Sequence, residues 1–123
     1  MGRIIACCLA IVLAGSPLTA SADSTQNKFA VFGEGWVTCG QWIEDRGAPM
    51  SLPRGADEAW IRGYLTGMNA GMSIFKPPMA SVGLNSDPAA NNLWIDNWCR
   101  THPLSKINDA AFELYVALRH NSN

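Results

Sequence analysis

Apolar residues recur along this chain at helical spacing, and no stretch alternates over six residues as a half-buried strand would. Ile61, Leu65, Met68, Met72 and Phe75 follow a 4-3-4-3 rhythm, which predicts a long helix from about Ala56 to Phe75. Asp57 and Glu58 lie in its first turn, where carboxylates suit the helix dipole, and Lys76-Pro77-Pro78 ends it. Leu104, Ile107, Ala111, Leu114 and Leu118 give the same kind of stripe near the C-terminus, predicting a last helix over 104–119. Before these, Thr38 can cap a short helix with Gln41 in the capping-box position. Cys39, Trp42 and Ile43 form its apolar side, and Arg46-Gly47 closes it. Ser86 or Asp87 caps a third helix with Pro88 at its first position. It carries Leu93, Trp94, Ile95, Trp98 and Cys99, and it breaks before Pro103. The stretches 47–55 and 76–87, rich in Gly, Pro and Ser, read as loops. The pattern predicts an all-α fold of four helices.

The first residues follow a different logic. Arg3 precedes an unbroken apolar run from Ile4 to Ala14; Gly15-Ser16-Pro17 breaks it, and Ala20-Ser21-Ala22 offers a small-x-small cleavage site. The run is shorter than the roughly 20 residues a spanning helix needs. Residues 1–22 are therefore expected to be a cleavable signal peptide for periplasmic or secreted localisation, with a retained anchor as the alternative. Residues 23–35 would be a flexible N-terminal segment, and 36–123 a single helical domain.

Cleavage simplifies the cysteines. Cys7 and Cys8 would leave with the leader, so Cys39 and Cys99 remain and should pair in an oxidising compartment. Closing the intervening loop would contribute roughly 4 kcal/mol through the unfolded chain. The alternative is two separately buried thiols. The formal net charge of −1 becomes −2 once Arg3 is lost, and no basic stripe exists to attract nucleic acid.

Two compositional features call for explanation. Gly63, Gly67 and Gly71 continue a row begun by Ala59, and each interior glycine costs a helix about 1 kcal/mol against alanine. Close approach of another helix within the domain is the expected compensation; a groove or a dimer contact is the alternative. Asp57, Glu58, Arg62 and Asn69 exclude a lipid-embedded version of this row. The chain also holds five tryptophans, of which Trp94 and Trp98 share a helix face. Core filling accounts for most of such a set. Trp94 and Ile95 cannot both point fully inward, however, so an apolar group near the third helix should be exposed. Trp94, Trp98, Trp60 and Tyr64 are the candidate protein-binding residues.

Catalytic constellations are absent from the pattern. Two histidines, His102 and His120, and two committed cysteines do not make a zinc set, and a bridged Cys99 is no nucleophile for His102. Glu44-Asp45, Asp57-Glu58, Asp96 and Glu113 sit where solvated helix faces would put them. No phosphate-cradling glycine loop occurs. No enzyme activity, cofactor or metal is expected.

Thr38-Cys39-Gly40-Gln41-Trp42-Ile43 and Trp94-Ile95-Asp96-Asn97-Trp98-Cys99-Arg100-Thr101-His102-Pro103 resemble the two cysteine segments of the HdeA/HdeB-type periplasmic acid-stress chaperones. The resemblance implies a small helical domain with one disulfide, a homodimer, and capture of unfolding clients after acid loosens it. Gly63-Tyr64-Leu65-Thr66-Gly67 and the course of the last helix are also similar to the Rap1a-type immunity proteins, which neutralise a toxin in the periplasm. Either kinship implies a non-enzymatic protein-binding role. In strong acid the carboxylates neutralise and the mature chain would carry about +10, a repulsion that favours loosening.

Overall fold

The computed structural model describes residues 29–75 and 77–121. Four helices, α1 (Cys39–Gly47), α2 (Leu52–Ser73), α3 (Pro88–Thr101) and α4 (Ile107–His120), follow a 3-10 turn at Gly33–Trp36. No strand forms among the described residues, and none of their helices is long and apolar enough to cross a membrane. The expected leader lies outside the described residues.

Each helix starts where a side chain can satisfy an orphan N–H. Thr38 Oγ1 accepts from Gln41 N at 3.2 Å, and Asp87 Oδ1 accepts from Ala90 N at 2.7 Å ahead of Pro88. In α4 the N3 carboxylate of Asp109 accepts from Lys106 N at 3.1 Å.

Two boundaries differ from the sequence reading. α2 begins at Leu52 rather than Ala56, because Ser51 caps it and Pro53 fits the first turn, where its missing N–H costs nothing. Residues 52–55 thus belong to the helix and not to a loop. α4 begins at Ile107 rather than Leu104, and Leu104 is 91% exposed. A short bridge explains the shift: Cys39 N donates to Ser105 O and Ile107 N to Val37 O, both at 2.9 Å, which fixes residues 103–106 as an extended turn.

The core gathers Cys39, Trp42, Ile61, Ile95, Cys99, Ile107, Ala110 and Leu114, with the Cys39–Cys99 disulfide inside it joining α1 to α3. Burial of these side chains supplies the main driving force, of order 2 kcal/mol for each large one. At 22 residues α2 is about 33 Å long against about 21 Å for the 14-residue α3 and α4, so its second half runs past the core. The predicted α2 stripe is therefore buried only at Ile61. Leu65, Met68 and Met72 are half-buried, and Phe75 lies exposed beyond the helix. The following loop folds back through a paired contact: Asn69 Nδ2 donates to Val82 O at 3.1 Å, and Val82 N donates to Asn69 Oδ1 at 3.0 Å. Val82 is buried by this latch.

Two carboxylates expected on solvated faces, Asp96 and Asp57, are buried instead. Asp96 sits between Trp42 Nε1 (2.7 Å) and the Arg46 guanidinium (3.0 and 3.1 Å), while Arg46 Nη1 also reaches Glu58 Oε1 at 2.8 Å. Arg54 Nε completes the set on the same oxygen at 3.0 Å. One guanidinium therefore ties α1 to α2 and α3 with charge-assisted, forked hydrogen bonds. Asp57 is also buried, only 1% exposed.

Candidate binding groove

The glycine row gives rise to an open groove. Glycines at positions 63 and 67 leave one face of α2 without side-chain bulk, and a Cβ built at Gly63, Gly67 or Gly71 would meet nothing within 4 Å. The expected close approach of another helix to this row is thus not present among the described residues. The neighbouring elements instead stand back as walls. Trp60, Tyr64 and Met68 rise from α2, Asn108 and Phe112 face them from α4, and Phe29–Phe32 close the third side as a strap. The enclosed volume is about 680 Å³ and its lining is overwhelmingly apolar, within the range of natural ligand clefts.

The strap is held by indole hydrogen bonds. Trp60 Nε1 donates to Phe32 O at 2.6 Å, and Trp36 Nε1 donates to Val31 O at 2.8 Å. Gly33 turns the chain at φ +63°, a left-handed conformation that favours glycine. Gly35 lies flat against the Trp60 ring, where any Cβ would overlap the indole and the Val31 side chain. Tyr64 packs beside Trp60 with ring centroids 5.3 Å apart.

The groove has few polar groups. Burial pushes the Tyr64 phenol up from its ordinary pKa, with smaller contributions from Asp109 and Tyr115, so it stays protonated at physiological pH. Asn108 is 5% exposed; its Nδ2 donates weakly to Asp109 Oδ1 at 3.4 Å and its Oδ1 has no partner. Phe29, Phe32 and Phe112 leave large apolar areas open to solvent, Phe32 being 78% exposed. Such a contiguous apolar concavity is uncommon on a domain with no use for it.

Of the candidate binding residues, Trp60 and Tyr64 come together here, beside Gly63 and Gly67 of the expected helix-packing row. Gly71 continues the row beyond the groove lining. Trp94 and Trp98 do not join them. Both pack half-buried against the core from α3, and Trp98 stacks on His102 with centroids 4.2 Å apart. The exposed apolar group beside α3 is Leu93, at 56%. The strap was hidden by the expectation of a flexible segment up to residue 35. Gly35 is in fact buried, so the described domain begins before Trp36. The pair Phe29 and Phe32, set in a polar surrounding, was the available signal. Among the described residues no group of three or more His, Cys, Asp or Glu side chains gathers in a metal-holding arrangement.

Searches against protein-family models, curated proteins and solved structures find no match to this chain.

Proposed function

We propose that this chain is an exported, non-enzymatic protein-binding domain that receives an apolar segment of another protein in the groove between α2, α4 and the strap. The observation that carries this reading is the open glycine row. Gly63 and Gly67 weaken α2 with no packing in return among the described residues, and a helix tolerates that cost where backbone must be approached closely by something else. The aromatic rim of Trp60, Tyr64 and Phe112 provides the kind of anchor that dominates binding energy at protein interfaces. Export is supported by the leader pattern of residues 1–22 and by a core disulfide, which persists best outside the cytoplasm.

Two versions of this role follow from the resemblances. An HdeA/HdeB-like holdase is supported by the Arg46 junction, whose attachment to α2 runs through Glu58, a carboxylate that strong acid neutralises. A Rap1a-like immunity or inhibitor role is supported by a groove that already stands open in the folded domain and so needs no acid to expose it.

Size-exclusion chromatography of the oxidised mature protein at pH 7 and pH 2.5, with and without client proteins, separates them. The holdase binds clients only in acid, whereas the inhibitor forms a one-to-one complex with its partner at pH 7. Gly67→Leu, at a position where an added Cβ meets nothing within 4 Å, fills the groove and abolishes either interaction. Undiminished binding by this variant contradicts the groove reading.

A further inference from the structure

Asp57 stands apart from the other carboxylates of the junction. It lies on the inner face of α2, 1% exposed, and its Oδ2 is buried without a hydrogen-bond partner. The charges that bear on it are acidic: Asp45 from α1, Glu34 from the 3-10 turn and Glu58 from its own helix. The cations nearby are committed elsewhere, Arg54 to Glu58 and Arg46 to Glu58 and Asp96. From α4, Asp109 bears on Tyr64, two turns further along α2. A buried carboxylate with an unpartnered oxygen and like charges on three elements is costly when ionised and less so when neutral.

We propose that Asp57 is a proton-binding site at the junction of the 3-10 turn, α1 and α2, which takes up a proton on mild acidification and so seats the 3-10 turn and its strap more firmly on α2. Protonation removes the repulsion between Asp57 and Glu34 and the cost of a buried charge whose Oδ2 has no donor. The 3-10 turn that carries Glu34 follows the strap directly, and Trp60, which holds Phe32, stands one turn after Asp57. The site goes beyond the groove reading and stands without it.

Burial, followed by Asp45, Glu34 and Glu58, raises the Asp57 pKa from 3.8 to about 6. Because the folded value exceeds the unfolded one, the folded domain binds more protons between these limits. The contribution of Asp57 to stability therefore falls as pH rises from about 4 to about 6 and is flat above.

The test is a carbon-13 NMR titration of the Asp57 carboxyl in the oxidised mature protein, with Glu34→Gln alongside. The expected midpoint is near pH 6, and Glu34→Gln lowers it; a midpoint at or below the ordinary carboxylate range overturns the proposal. Asp57→Asn supplies a second readout. It is more stable than wild type at pH 7, and the difference vanishes towards pH 4; a difference independent of pH overturns the linkage. At pH 7 the Val37 amide, which donates to Glu34 O at 2.9 Å, exchanges more slowly in Asp57→Asn than in wild type. Equal exchange overturns the coupling to the 3-10 turn.

Discussion

The indole N–H of Trp60 donates to the carbonyl oxygen of Phe32 at 2.6 Å, joining residues 28 positions apart and fixing the strap as a wall of the groove. The same ring covers Gly35, so one side chain sets both the height of the wall and the path of the chain entering it. Trp60→Phe keeps most of the apolar contact and removes the donor. It should cost about 1 kcal/mol, the net value of one hydrogen bond, and weaken binding at the groove. Urea denaturation checks the first, and titration with a bound partner or client the second.

The glycines divide into two classes with opposite expected effects. Gly63→Ala and Gly67→Ala meet open space and should each stabilise the domain by up to about 1 kcal/mol through helix propensity. Gly35→Ala drives a methyl into the Trp60 ring and should destabilise it. Thermal unfolding followed by circular dichroism distinguishes the signs.

Removal of Arg46 should expose how much the junction depends on it. Arg46→Ala leaves Asp96 and Glu58 largely buried with fewer partners, at an expected cost of about 2–3 kcal/mol given the partial exposure of the pair. Denaturant midpoints at pH 7 measure this.

Acid should act on the same junction. Burial pushes the Glu58 carboxyl up, but the hydrogen bonds and charges of Arg54 and Arg46 outweigh it and hold the group below its ordinary value of 4.5. A depressed folded pKa gives stability that is present above 4.5 and lost as pH falls further, so wild type should lose stability below that point. Glu58→Gln should flatten this acid limb, read from urea midpoints between pH 2.5 and 6.

The disulfide closes a 60-residue separation across the core. Its reduction, or Cys39→Ala with Cys99→Ala, should lower stability by roughly 4 kcal/mol on the chain-entropy model. Denaturation with and without reductant tests the value.

The fold was largely legible because α1 and α3 announce themselves locally, whereas the start of α4 is set by the bridge of residues 105–107 to 37–39. Thr38, Asp87 and Pro88 are start signals whose physics needs no tertiary context. The start of α2 was missed because Pro53 and Gly55 read as loop formers, while the Ser51 cap that overrides them is a weaker signal. The burial of Asp57 and Asp96 was not legible, since a carboxylate on a helix looks solvated until the opposing elements are placed. The glycine row stood out as an anomaly, yet its meaning depended on whether a neighbour filled it. That is a property of packing and not of spacing.

Position-specific photocrosslinking tests the central claim most directly. A photoreactive amino acid placed at Phe112, on the groove wall, is compared with the same probe at Leu93, exposed on α3 away from it. Adducts with the bound partner or client are expected from position 112, and they should be lost when Gly67→Leu fills the groove. Adducts that arise from position 93 and not from 112, or that persist with the groove filled, would contradict the claim.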